Sequence, residues 1–300
     1  MPELGVAKEN FLIVSGIGCS SRFPYYMDTY GFHSIHGRAP ALASGAKIAN
    51  PELSVWVVTG DGDGLSIGGN HTIHLMRRNL DINVMLFNNR IYGLTKGQYS
   101  PTSERGKITK SSPMGSLDCP FNPLTLVLGA GATFVARTID RETKHMQEMI
   151  TRSYGHKGTS FLETYQNCNI FNNGAYTSLT DKGTKADSVL WLEDGKPMVF
   201  GSEKNKGIRL DGNKPIIVEI GDKWGLDDVL VHDESDYVIA SLLSNLTYQS
   251  DFPDPIGVLY AIESVTYEDL MMAQINEAIK KSDKKSVQDI LNSGDTWIVE

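Results

Sequence analysis

The sequence predicts an α/β fold: a parallel sheet covered by helices on both faces. Three apolar runs carry the prediction: Phe11-Leu12-Ile13-Val14-Ser15, Val55-Trp56-Val57-Val58-Thr59 and Ile82-Asn83-Val84-Met85-Leu86-Phe87. They are near-continuous rather than alternating, as strands buried on both sides read. Helical segments alternate with strand-like runs throughout residues 11–165, the pattern of βαβ units.

The elements follow in order. The first run ends in Gly16-Ile17-Gly18-Cys19-Ser20-Ser21, which has two glycines of a dinucleotide fingerprint but lacks the third. A loop through Tyr25, Tyr26 and Tyr30 leads to His33-Ser34-Ile35-His36-Gly37-Arg38, and an Ala-rich helix over 39–50 stops at Pro51. The second and third runs enclose a helix expected to start near Leu65. Residues 97–122, rich in Gly, Ser, Thr, Pro and Lys, form a long loop of the kind that is usually functional or mobile. Asn122 and Pro123 open a short helix to Leu128. Strands are expected at 133–136 and 160–164, with a helix over 141–153 between them. After Tyr176 the texture changes to short strands (189–192, 198–200, 215–220) joined by Gly/Asp turns, then helices at 237–246, 267–280 and 285–291. Residues 1–176 thus read as a ligand-binding domain, and 177–300 as an antiparallel and helical appendage without a chemical motif.

Composition limits the function. A formal charge of −8 argues against nucleic acid or an anionic membrane as partner. No apolar run approaches the ~20 residues of a membrane span, and no signal-peptide core opens the chain. Asn70-His71-Thr72 and Asn245-Leu246-Thr247 match the glycosylation pattern only by chance on that reading, and three scattered cysteines make no disulfide framework. A cytoplasmic protein is expected.

The informative stretch is Gly60-Asp61-Gly62-Asp63-Gly64, where the second run stops, together with Asn88-Asn89, where the third stops. Two strand ends deliver Asp61 and Asn89 to one rim of the sheet, where open α/β sheets bind ligands. Oxygen ligands on a carboxylate and an amide suit Mg²⁺, with phosphate oxygens completing its shell. The flanking glycines and the helix N-terminus would let backbone N–H groups meet a diphosphate. Helix or turn capping by Asp and Asn is the plain alternative. Gly64-Leu65-Ser66-Ile67-Gly68 also matches the nucleophile elbow of α/β-hydrolases, but Ser66 falls beyond the strand-to-helix turn where that serine must sit.

Gly60-Asp61-Gly62 with Asn88-Asn89 resembles the thiamine-diphosphate motif. The wider block resembles the β subunit of 2-oxoacid:ferredoxin oxidoreductases: Gly68-Gly69-Asn70-His71 lies within it and Asn89-Arg90-Ile91-Tyr92-Gly93-Leu94-Thr95-Lys96-Gly97-Gln98 follows. The likeness covers residues 5–180 firmly. It implies a thiamine-diphosphate-binding fold in which Asp61, Asn89 and the carbonyl of Ile91 hold Mg²⁺. The diphosphate would rest on backbone around Gly60, Asp61, Gly62 and Asp63 and around Asn89, Ile91, Tyr92, Gly93 and Leu94. His36 and Arg38 would line the active site, and Lys96 would face coenzyme A. One [4Fe–4S] cluster is also implied, with Cys19 after Gly18 and Cys168 as two of its ligands. The family's N-terminal Cys-x-x-Cys is absent, which reads as a truncated N-terminus or as real loss of the cluster; Cys119 matches no ligand position. The implied reaction is oxidative decarboxylation of a 2-oxoacid to acyl-CoA and CO₂, with electrons passing to ferredoxin. Among family members the Gly60-Asp61-Gly62-Asp63-Gly64 form, with Gly69-Asn70-His71 and the separate short chain, most resembles the 2-oxoglutarate branch, with pyruvate as competitor and a non-catalytic cofactor-binding chain as the alternative of another class. The glutamate that activates thiamine belongs to a partner α or fused γα subunit in the family, so the chain alone should be inert.

Overall fold

The structure is a computed structural model and describes residues 2–282 and 286–299. In chain order the first strands and helices are β1 (Phe11–Ser15), β2 (Tyr30–His33), α1 (Ala39–Ala49), β3 (Ser54–Gly60), α2 (Gly69–Arg78) and β4 (Ile82–Asn88). There follow α3 (Pro123–Gly129), β5 (Phe134–Ile139), α4 (Thr143–Gly155) and β6 (Ser160–Tyr165). The strands run parallel in the order β2-β1-β3-β4-β6-β5. This is the expected α/β sheet, and both faces are covered. Along β3, Val55 and Val57 join the cluster containing Ala43, Leu75 and Met76, while Trp56 and Val58 pack on the other side with Phe11, Ile13 and Met85. Each large apolar side chain so buried contributes roughly 1.5–3 kcal/mol.

Beyond residue 176 come two single-turn helices, α5 (Thr177–Thr180) and α6 (Lys185–Ser188), then β7 (Val189–Trp191), β8 (Val199–Phe200), β9 (Lys206–Asp211) and β10 (Lys214–Glu219). The chain continues with α7 (Tyr237–Leu246), β11 (Asp254–Ala261), α8 (Tyr267–Lys281) and α9 (Val287–Leu291). The β10-β9-β8 sheet is antiparallel, as the appendage reading expects. Two strands of the same segment differ from it. β11 adds antiparallel to β5, and β7 adds parallel to β11, so the main sheet has eight strands and does not end at 176. Pro255 and Gly257 hide β11 from a strand pattern. Gly257 sits at φ +137° beside the bulge between Val258 and Tyr260, and a Cβ there would lie 2.9 Å from Leu192. β2 went unforeseen because all four of its residues are exposed at the sheet edge, leaving no buried face to set a period. The helix expected at 285–291 starts at Lys285, which lies outside the described residues; α9 covers its later part.

What matters for function is the register. Gly60 pairs with Phe87, and Phe87 with Thr164, so β3, β4 and β6 finish level. The residues just past their ends, Asp61 and Asn89 among them, share one carboxyl rim.

Candidate active site

Asp61 is 2% exposed, and its two oxygens have different surroundings. Oδ2 accepts from Ser100 Oγ at 2.5 Å and Thr102 Oγ1 at 2.7 Å, both in the long loop after β4. Oδ1 faces Asn89. With the amide oxygen of Asn89 turned inward, Oδ1 of Asn89 lies 2.8 Å from the carbonyl oxygen of Ile91 and 3.3 Å from Asp61 Oδ1; turned outward, the amide nitrogen donates to both. In the first orientation Ile91 N–H donates to Asn89 Oδ1 at 3.3 Å. Turned outward, the amide satisfies both oxygens by its own hydrogen bonds; turned inward, it presents its oxygen beside them at a spacing that suits octahedral Mg²⁺, whose neighbouring ligand oxygens lie about 2.9 Å apart. The donor set is one carboxylate and two neutral oxygens, and it fits Mg²⁺. Burial pushes the Asp61 carboxyl above the usual carboxylate range, against the hydrogen bonds from Ser100 and Thr102.

The two asparagines divide their work. Asn88, buried at the end of β4, donates from Nδ2 to Glu163 Oε1 at 2.7 Å. Thr102 Oγ1, besides its contact to Asp61, lies 2.9 Å from Asn88 Oδ1. Glu163 Oε2 accepts from Arg137 Nε at 2.7 Å, and both of these side chains are fully buried. Arg137 continues to Thr247 Oγ1 at 2.6 Å and stacks over the Tyr165 ring. A side-chain network therefore runs from Asp61 through the sheet to the turn after α7. Ser100, Thr102, Glu163 and Arg137 were not foreseen. Charges inside the doubly covered strands β5 and β6 were the available signal, since a buried charge must be paired.

Asp63 was expected to offer its backbone to a diphosphate; its side chain has a separate task. Its carboxylate, 2% exposed, faces the β1 loop. Oδ1 accepts from Ile17 N at 3.0 Å, Gly37 N at 2.7 Å and His36 Nδ1 at 2.6 Å, while Oδ2 accepts from Thr59 Oγ1 at 2.7 Å. It ties three rim segments together and fixes His36 with Nδ1 protonated, so Nε2 points away from it. His36 is half-buried with its ring edge-on to Tyr92 at 6.4 Å. Tyr92 in turn donates to Gly62 O at 3.0 Å, and a Cβ on Gly62 would come within 2.1 Å of its ring. Arg38 caps α1 and donates to Ile67 O at 3.3 Å.

Lys96 and Leu94 are exposed in a tight turn closed by Lys96 N to Gly93 O at 3.0 Å and Gly97 N to Tyr92 O at 2.9 Å. Helical backbone begins at Asp61 itself, ahead of the expected Leu65, and continues as a π turn over Asp63–Ile67. Ser66 is an exposed residue within that turn, away from the nucleophile-elbow position.

Cys19 and Cys168 come to the same side of the rim. A Cβ at Gly93 would lie 3.1 Å from the Cys19 sulfur and 3.7 Å from the Phe171 ring, while Phe171 N–H reaches Cys168 Sγ at 3.5 Å. A cavity of about 570 Å³ opens there between Gly18, Cys19, Arg22, Tyr25, His33 and Leu94. Among the described residues no three His, Cys, Asp or Glu side chains gather as a metal site. Two thiols do not make the four-thiolate set of a [4Fe–4S] cluster, so these residues by themselves do not fit it. Cys119 lies elsewhere, against Arg105. Among the described residues no helix is long and apolar enough to cross a membrane.

Residues 16–164 match the family model of the thiamine pyrophosphate enzyme C-terminal TPP-binding domain. The chain is 48% identical over 304 residues to 2-oxoglutarate oxidoreductase subunit KorB of Mycobacterium tuberculosis, covering 100% of this chain and 81% of that one. It is 45% identical over 226 residues to subunit beta of 2-oxoacid:ferredoxin oxidoreductase 1 of Aeropyrum pernix, covering 74% of this chain and 68% of the relative. A structure of 2-oxoglutarate:ferredoxin oxidoreductase from Magnetococcus marinus, determined with 2-oxoglutarate, coenzyme A and succinyl-CoA bound, matches with a TM-score of 0.76 at 32% identity, across 98% of this chain and 86% of that one. With a thiamine-diphosphate-type sheet, and with a relative this similar across most of both lengths, the chain belongs to the β subunits of the 2-oxoacid:ferredoxin oxidoreductases.

Proposed function

We propose that the chain holds the metal–diphosphate end of thiamine diphosphate in an enzyme that oxidises 2-oxoglutarate and CoA to succinyl-CoA and CO₂ and passes the electrons to ferredoxin. The meeting of the Asn89 side-chain amide with the Asp61 carboxylate and the Ile91 carbonyl at the ends of β3 and β4 carries the reading. The choice of 2-oxoglutarate over pyruvate draws on the names of the similar proteins. Thiamine diphosphate, when bound, supplies the carbon nucleophile for the keto group and takes up the charge left as CO₂ departs.

The chain's own residues anchor and orient. Asp61, Asn89 and Ile91 hold Mg²⁺, and backbone around Gly60–Gly62 and Asn89–Leu94 meets the diphosphate. His36, its Nδ1 engaged by Asp63, offers Nε2 as the atom that holds or passes a proton. Arg38 and Lys96 supply positive charge for the substrate carboxylate and a CoA phosphate. An α-type partner subunit supplies the acid that activates the aminopyrimidine, for which this rim has no free glutamate among the described residues. Cys19 and Cys168 are two candidate thiolates for a [4Fe–4S] cluster whose set this chain's described residues do not complete.

The test is CoA-dependent viologen reduction by the chain co-purified with its partner, on 2-oxoglutarate and on pyruvate, with Asp61→Ala beside the parent. Activity on 2-oxoglutarate that is lost in Asp61→Ala is the expected result. A clear preference for pyruvate would overturn the substrate, and undiminished activity in Asp61→Ala would overturn the metal site.

A further inference from the structure

We propose that Arg90 is a positioning residue for the cation site, holding the backbone turn that brings Asn89 and Ile91 to bear on Asp61. The proposal rests on the Mg²⁺ reading above. Arg90 lies between those two ligands in sequence, and its φ of 55° is left-handed, a conformation that side-chain-bearing residues rarely adopt. Such a residue persists only where its surroundings over-determine it, and here they do. Its N–H donates to Asn88 Oδ1 at 3.3 Å. Its carbonyl accepts from Ser103 Oγ at 2.6 Å and Asn172 Nδ2 at 3.3 Å. The side chain is 16% exposed, and its guanidinium pairs with Glu104 at 2.8 Å and lies 4.5 Å above the Tyr176 ring, which stacks on Tyr165. The same Asn172 also donates to the carbonyl of Asn89 at 3.0 Å. Three separate elements thus pin one residue, and the turn it makes places the Asn89 amide 2.8 Å from the Ile91 carbonyl.

Electrostatics alone predicts the opposite sign. A guanidinium beside a cation site repels the cation, so losing it by charge alone would tighten binding. A positioning role predicts weaker binding when the anchor is removed. It also predicts partial relief by glycine, which enters the left-handed region without strain. A merely structural role would change the melting temperature and leave cation affinity unchanged.

The experiment is an EPR titration of Mn²⁺, in the presence of thiamine diphosphate, on the complex with its partner subunit, for the parent, Arg90→Ala and Arg90→Gly. Arg90→Ala should weaken Mn²⁺ binding about tenfold, as loss of an outer-shell support typically does. Arg90→Gly should fall between it and the parent. Any other order, above all equal or tighter binding in Arg90→Ala, overturns the proposal. If Arg90→Ala does not fold, the parent and Arg90→Gly still decide: equal affinity overturns it and weaker binding by Arg90→Gly upholds it. A parent complex that binds no Mn²⁺ would instead refute the cation site itself, independently of Arg90.

Discussion

Replacing Glu163 with alanine tests whether the site is held from behind. Glu163 and Arg137 are both fully buried, 2.7 Å apart, and the other Glu163 oxygen takes the Asn88 amide at 2.7 Å. Arg137 Nη2 already has no hydrogen-bond partner among the described residues, and the next carboxylate, Asp254, stands 3.9 Å from Nη1. Removing Glu163 therefore leaves a buried guanidinium with little compensation, which costs about 3–5 kcal/mol. At roughly 2 °C per kcal/mol for a chain of this size, the melting temperature should fall by about 6–10 °C. Glu163→Gln keeps the shape and an acceptor for Arg137 but not the charge, and should lose less than Glu163→Ala. Thermal melts monitored by circular dichroism read both. The Mn²⁺ titration should also show weaker binding in Glu163→Ala, because Asn88 and Thr102 lose their fixed end. A melting shift under about 2 °C would refute the reasoning, since it would mean that Arg137 finds another partner at little cost.

Two further outcomes follow from the same rim. A carboxyl whose pKa is raised on folding stabilises the protein in acid and loses that contribution as pH rises through the folded value, so in metal-free protein the buried Asp61 becomes a growing burden as pH rises. In EDTA the melting temperature of Asp61→Asn should accordingly gain on the parent's as pH rises, and only the parent should gain from added Mg²⁺ with thiamine diphosphate; a gap that shrinks with rising pH would contradict this. Gly16→Ala would set a Cβ 1.8 Å from Asp63 Oδ2, so it should destabilise by about 1–3 kcal/mol and free His36, and a melting curve matching the parent's would show that Asp63 is not the clamp described.

The parallel half of the fold was legible because β1, β3 and β4 are apolar on both faces, so their composition alone marks them. β11 was not, because Pro255 and Gly257 interrupt a strand that is nonetheless central, between β5 and β7. The oxygens proposed for the metal were legible for a related reason. Asp61 and Asn89 stand where an apolar run stops, and a strand end is visible in one dimension. The groups that hold them are set by contacts across the sheet, which no local pattern encodes. Ser100 and Thr102 sit in a loop of similar polar residues, and only the fold shows that these two reach Asp61.

Asp63 separates the two kinds of information. In sequence it is the twin of Asp61, flanked by glycines and part of the same backbone stretch expected to meet a diphosphate. In space Asp61 turns one oxygen towards the Asn89 amide, whereas Asp63 spends both of its oxygens on Ile17, His36, Gly37 and Thr59. The helical turn that starts at Asp61 rotates positions two apart to different sides, so neighbours in a motif need not face one ligand. Gly16 follows from this rather than from a nucleotide fingerprint. Its missing Cβ leaves the space that the Asp63 carboxylate fills, and the first glycine of the β1 loop is explained by a carboxylate of its own chain.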